Sequence, residues 1–191
     1  MAEDYSSKIW KILFLILAVG FGLRYWLTLD AGTYKGKGFS IVFPLGWTEW
    51  KIPEAVQKEN KEGLKNINTV TYVSPTQDPA SDTPAASLSI ISYKLQQAAW
   101  LDDEFPRIVT AIQKKGGRVI KKGEITLNNE PTRWVFYEDV ADRILNLEFY
   151  IITNENMFYK IHYAAKEAAF NKYRPAFEKA KATFKITGFR L

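Results

Sequence analysis

Residues 119–164 read VIKKGEITLNNEPTRWVFYEDVADRILNLEFYIITNENMFYKIHYA, and this stretch divides into four strand-like runs at 119–127, 132–138, 144–152 and 157–164. Each run is rich in the β-branched and aromatic residues that fit a pleated, half-buried surface. Between them stand Asn128-Asn129, Ala141-Asp142 and Asn154-Glu155-Asn156. These short polar links have the length of antiparallel hairpin turns, and asparagine tolerates the left-handed backbone such turns demand. The stretch is therefore expected to fold as an antiparallel meander.

Upstream of the meander, Leu101, Phe105, Ile108, Val109 and Ile112 recur at helical spacing, with Pro106 near the start and Gly116-Gly117 able to end the helix. Downstream, Phe170, Tyr173, Phe177, Ala180 and Phe184 give residues 168–183 an apolar side, with Lys172, Lys179 and Lys181 turned away from it. Pro175 is expected to shift the start of that helix or kink it. Nearer the N-terminus, Phe39, Ile41 and Phe43 share one face of a strand that Pro44-Leu45-Gly46-Trp47 stops with a turn. Residues 68–74 and 88–93 read as further strands, separated by a polar loop over 77–86. Strands interrupted by one helix and closed by another give an α+β layered domain, assigned to residues 38–191.

Ahead of that domain lies the apolar stretch IWKILFLILAVGFGLRYWLTL, residues 9–29. A bilayer core needs about 20 mostly apolar helical residues. The uninterrupted part, 12–23, is shorter, but Lys11 and Arg24 can extend their charges to the headgroups, and Trp10, Tyr25 and Trp26 suit the interface. The expected organisation is a tail at 1–8, a transmembrane anchor helix at 9–29 and a tether at 30–37. A cleaved signal peptide and a buried or interfacial helix are the competing readings; against the signal, Ala18-Val19-Gly20 is followed by more apolar residues, Phe21-Gly22-Leu23. Lysine and arginine counts on the two flanks do not decide orientation. The short N-terminal tail favours a cytoplasmic Met1 and an exported, periplasmic or extracytoplasmic, C-terminal domain. Ala18 and Gly22, with Gly20 between them, form a candidate helix-packing face for another membrane helix.

The chain of 191 residues has a net charge of +5, one histidine and no cysteine. Disulfides, thiol chemistry and lipid attachment through cysteine are excluded. Lysine and arginine are interspersed with acidic residues, without the concentrated basic stripe of a nucleic-acid binder, while anionic lipid headgroups suit the modest excess. His162 shares a strand face with Phe158 and Lys160, and no local spacing supplies the partner a general base needs. It is expected to be a partly exposed structural residue. Asp102-Asp103-Glu104 falls in the first turn of a helix, where carboxylates meet the helix dipole and point in different directions, so a metal site is not expected there. Glu138-Asp139 and Asp142 read as solvated turn residues. No phosphate loop or nucleophile elbow occurs. Trp47 reads as part of a core-closing turn, and Trp50 as the freer candidate for a partner or membrane-rim contact.

The string GFSIVFPLGW at 38–47 resembles the opening signature of the PsbP-like family, which includes an extrinsic photosystem II subunit and membrane-anchored bacterial proteins. GEITLNNEP at 123–131 is similar to that family's hairpin, FYKIHYAA at 158–165 to its late strand, and 177–186, with Thr183-Phe184-Lys185, to its closing helix and strand start. The resemblance implies a central antiparallel sheet with helices on both faces, and members that act mainly in docking and assembly. A role in water oxidation is not carried over, because this chain bears an anchor where the photosystem subunit has a mobile N-terminal region.

The functional expectation is a non-catalytic accessory, assembly or stabilising subunit of a membrane protein complex, without cofactor or metal. The alternatives are a small-ligand or lipid-binding module with a pocket between sheet and helix, and an enzyme with a carboxylate site. An uncut span predicts retention in the membrane fraction through carbonate and high-salt washing, with an intact N-terminus by mass spectrometry. A mature protein beginning near Phe21 would show a cleaved signal instead.

Overall fold

The computed structural model describes residues 32–51, 67–78 and 81–188. In chain order the strands before the first helix are β1 (Thr33–Gly36), β2 (Phe39–Val42), β3 (Thr48–Glu49), β4 (Asn68–Val73), β5 (Gln77–Asp78), β6 (Ser81–Pro84) and β7 (Ala86–Lys94). The helix α1 (Leu101–Lys114) follows, then β8 (Gly117–Leu127), β9 (Glu130–Asp139), β10 (Ile144–Ile152) and β11 (Met157–Lys166). Helix α2 (Glu167–Thr183) and β12 (Lys185–Ile186) complete the fold. The main sheet is seven-stranded and antiparallel, in the order β3-β4-β7-β11-β10-β9-β8, and a smaller sheet runs β1-β2-β12.

The turns of the meander form where the asparagines stand. Asn128 and Asn129 take φ values of 52° and 65° between the paired ends Leu127 and Glu130, the left-handed geometry of a two-residue hairpin turn. Asn156, at φ 59°, closes the turn between β10 and β11, where its N–H donates to the Thr153 carbonyl at 2.9 Å.

Strand alternation sends successive side chains of β10 to opposite faces. Leu147, Phe149 and Ile151 enter the larger core under α2, with Phe39, Ile161, Tyr163, Phe177 and Phe184. Tyr150 enters the smaller core under α1, with Leu101, Phe105, Val109, Val135 and Phe158. One helix thus covers each face of the sheet, as the resemblance implied. The larger core is aromatic: Phe177 stacks on Tyr163 at 4.9 Å between centroids, and Phe39 lies 5.9 Å from Phe184. Its tyrosines keep their hydroxyls paired, as buried tyrosines do. Tyr159 donates to the Gly38 carbonyl at 3.1 Å and Tyr163 to that of Phe170 at 2.8 Å, tying β2 and α2 to the sheet.

Pro175 neither shortens α2 nor starts it; the helix runs through it from Glu167. Proline removes the hydrogen bond to the carbonyl four residues back, here Asn171, and both residues lie on the exposed side where water can serve that carbonyl. Pro106 is likewise accommodated within α1.

The structure corrects two further expectations. The tether at 30–37 is in part strand: Thr33, Tyr34, Lys35 and Gly36 pair with Val42, Ile41, Ser40 and Phe39, so the folded unit begins before residue 38. The polar loop at 77–86 contains the short hairpin β5–β6, and β7 starts at Ala86. In the main sheet Trp134 is partly buried; its ring lies across Gly123, its cross-strand neighbour, where a Cβ would come within 2.9 Å of the indole. At the β8 edge, Ile120 bulges out of register and is followed by exposed Lys121 and Lys122, features that discourage pairing with another chain. The tail at 1–8 and the anchor at 9–29, with Ala18, Gly20 and Gly22, lie outside the described residues. Among the described residues no helix is long and apolar enough to cross a membrane.

Phe39 and Phe177 are both fully buried. Phe39→Ala and Phe177→Ala should each cost about 3 to 5 kcal/mol in denaturant unfolding, from lost burial and the cavity left behind. Trp134→Ala should cost visibly less, because part of its surface stays in contact with water in the folded state.

Candidate functional site

The face of the sheet beneath α1 carries a polar cluster set into apolar surroundings. It arises from register: in the β10–β11 hairpin, Glu148 stands directly opposite His162 and Tyr150 opposite Lys160, while in the β9–β10 hairpin Tyr137 stands opposite Asn146. All six side chains therefore share one face. Glu148 is 3 % exposed, and its carboxylate collects donors from all three strands. Lys160 Nζ donates to Oε1 at 3.1 Å, Tyr137 Oη to the same atom at 3.2 Å, and Tyr150 Oη to Oε2. His162 Nε2 lies 2.9 Å from Asn146 Oδ1 and 3.6 Å from Glu148 Oε1. The amide of Asn146 donates in turn to the Ile144 carbonyl at 3.0 Å, which directs Oδ1 at the imidazole.

These contacts set the charges. Burial alone would raise the Glu148 carboxyl, but the positive charge His162 gains when protonated in acid, the Lys160 ammonium and the Tyr150 hydroxyl outweigh it and hold the group below the ordinary carboxylate value. Burial pushes His162 down to about 4, an effect that the Lys160 ammonium reinforces and the Glu148 carboxylate opposes. The ring is therefore neutral near pH 7, and its Nε2–H donates to Asn146. Burial, followed by the adjacent carboxylate, pushes Tyr137 and Tyr150 upward, so both remain protonated donors.

Beside the cluster runs a cleft of about 430 Å³ between α1 and the sheet, bordered by Ile108, Ile112, Tyr93, Tyr137, Phe158 and Lys160. Its mixture of aliphatic walls with a carboxylate, an ammonium and phenols suits a small amphipathic molecule. Glu148 is already engaged by three donors, so the cluster acts first as a clasp across β9, β10 and β11. His162 has the orienting neighbours that local spacing did not supply, and they sit across the strands rather than along one. The signal was present in the sequence: a turn centred on Glu155 places 148 opposite 162 and 150 opposite 160.

The other candidate residues lie apart from this cluster. Trp50 is about half exposed beyond the end of β3, with its backbone N–H donating to the Thr71 carbonyl at 2.8 Å, whereas Trp47 is buried edge-on against Tyr173 at 5.8 Å. Asp102 accepts from Arg133 at 2.7 and 2.9 Å, and Glu104 pairs with Arg107 at 2.9 Å, so these first-turn acids diverge to separate cations. Asp139 receives the N–H of Ala141 at 3.1 Å and so caps its own turn. Among the described residues no group of three or more histidine, cysteine or acidic side chains could hold a metal ion.

The lowered His162 value has a defined consequence for stability. The unfolded chain takes up a proton below 6.5, while the folded ring resists protonation down to about 4. Stability should be full above 6.5 and fall as the pH drops toward 4, because the unfolded state binds more protons across that interval. The depressed Glu148 carboxyl adds a loss only at lower pH. Denaturant melts should show this slope in the native protein and a flatter profile in His162→Gln, which keeps an amide donor; equal slopes would remove His162 as the cause.

No protein-family model matches the chain, and no curated protein matches it in sequence. Several solved structures match in fold. The cyanobacterial PsbP of Synechocystis aligns over 81% of this chain and 91% of its own, at 13% identity with a TM-score of 0.52. LpqN of Mycobacterium tuberculosis, described as involved in cell envelope biogenesis, covers 78% of this chain and 83% of its own, at 11% identity and a TM-score of 0.59. Protein PA94 of Pseudomonas aeruginosa, described as a putative regulator, covers 79% and 93%, at 16% identity and a TM-score of 0.51. At these identities the likeness is one of architecture, and the chain has the α+β fold of a PsbP-like domain.

Proposed function

We propose that this protein is a non-catalytic accessory or assembly subunit of a membrane protein complex, anchored by residues 9–29 and acting through a docking domain at the bilayer surface. The observation that carries the reading is the position of β1. The apolar run ends at Leu29 and β1 begins at Thr33. Four residue steps span about 14 Å at most, at about 3.5 Å per residue. A domain so tied to a membrane helix stays within reach of neighbouring membrane proteins, and two modest contacts, one between helices and one at the domain rim, reinforce each other through high effective concentration. The envelope role named for LpqN is in keeping with such a location. Orientation with the domain outside the cytoplasm belongs to this proposal.

A second reading, a small-ligand or lipid-binding module, is favoured by the cleft under α1, whose aromatic walls surround the Lys160–Glu148 pair. Purification in mild detergent separates the two: stoichiometric membrane partners support the first reading, and a retained small molecule supports the second. Ala18→Leu with Gly22→Leu keeps the span apolar while blocking close helix approach, and Trp50→Ala tests the rim. Either change should lower recovery of the complex severalfold, and the combination should lower it further. Unchanged recovery in all three would rule out these contact surfaces.

A further inference from the structure

The turn that follows β2 presents one residue in an unusual way. Leu45 is as exposed as a side chain can be, while the residues on either side of the turn, Phe43 and Trp47, are 7 % and 8 % exposed. The turn itself is firm. Trp47 N–H donates to the Pro44 carbonyl at 3.1 Å, and Gly46 takes φ +80°, the conformation that the third residue of a type II turn requires. Phe43 is stacked on Tyr72 at 3.8 Å and Trp47 packs on Tyr173. Leu45 is thus held out on a rigid mount, where its side chain contributes nothing to the core. A lone exposed leucine is unremarkable on a protein surface; the place of this one in the chain path gives it meaning.

Strand β1 begins beside Val42 and runs away from that point, and β2 returns to it. The turn bearing Leu45 therefore stands at the end of the domain where the chain arrives from residues 1–31. The main sheet points the same way. Thr48 pairs with Val73, Val73 with Ser87, and Ser87 with Ala164 near the end of β11, so the turn lies at that end of the sheet. The β10–β11 turn, with exposed Glu155, lies at the other end, about 30 Å away along the ten residues of β11 at about 3.3 Å each.

We propose that the Pro44–Trp47 turn is a second membrane contact, with Leu45 entering the boundary between lipid headgroups and acyl chains. The proposal rests on the anchoring of residues 9–29 and adds an orientation to it. The anchor fixes one point of the domain, and Leu45, three residues along the chain from the strand position opposite Thr33, fixes a second. The domain then stands with the Thr48–Val73 end of its sheet toward the bilayer and the β10–β11 turn away from it. A leucine side chain moved from water into this boundary loses apolar contact with water, and the firm turn spares the cost of ordering a loop.

The absence of cysteine makes the test direct. Leu45→Cys and Glu155→Cys each introduce the sole thiol of the 191-residue chain, which is labelled with an environment-sensitive nitrobenzoxadiazole. The protein is reconstituted in vesicles of phosphatidylcholine and phosphatidylglycerol, with or without lipids carrying a nitroxide near the headgroup. The label at 45 should emit to the blue of that at 155, be quenched severalfold more by nitroxide lipid and be shielded from aqueous iodide. Equal behaviour of the two labels overturns the proposal. Shielding from iodide without quenching by nitroxide lipid also overturns it, because the turn is then covered by protein. Flotation of the same vesicles keeps the failures apart: protein that floats with a wet label at 45 refutes this contact alone, whereas protein that does not float refutes the anchor and the contact together.

Discussion

The two-residue alternation of β10 and β11 is the constraint on which the rest of the structure depends. One hairpin supplies both cores, Phe149, Ile151, Ile161 and Tyr163 to one side and Tyr150 and Phe158 to the other. Slipping its register by one residue would turn every one of these side chains to the wrong layer. The helices are consequences of that arrangement. Each buries its apolar stripe only because the sheet offers an apolar face, and α2 faces the larger one. There the rings meet in offset stacks and edge contacts worth about 0.5 to 1.5 kcal/mol each beyond simple burial, a coherent core for a domain that lacks disulfides.

The same register accounts for the charged cluster. A carboxylate as buried as Glu148 is costly unless ionic and neutral donors surround it. Strand pairing brings these donors from three separate strands, and each would be left with a poorer partner if the strands slid. Removing one member of a buried pair commonly costs about 3 to 5 kcal/mol, even where the intact pair adds little net stability. A shifted register would leave the Glu148 carboxylate buried with fewer donors, a cost that a purely apolar face would not carry.

Much of this was legible in the chain because the signals were local. Asn128-Asn129 and Asn154-Glu155-Asn156 marked turns through their own backbone preferences, and the spacing of Leu101, Phe105 and Val109 marked a helix. What escaped depended on partners distant in sequence. Thr33–Gly36 is short and carries lysine and glycine; only Phe39–Val42 opposite makes it a strand. The partial burial of Trp134 likewise depends on its cross-strand neighbour Gly123, which has no side chain to displace the ring. His162 has no partner along its own strand; its hydrogen-bond acceptor, Asn146, comes from β10. Trp47 and Trp50, three residues apart, differ in burial because the extended Thr48–Glu49 strand between them sends them to opposite sides.

The small sheet carries a mechanical implication. Tension arriving through residue 32 runs along the axis of β1, whereas the hydrogen bonds that hold β1 to β2 lie across that axis. The bonds are therefore loaded in shear, and several must yield together rather than one after another. On its other side β2 is clasped by β12, which follows α2, so the load passes into the closing helix as well as the aromatic core. The point at which the chain enters the domain is thereby built to resist pulling.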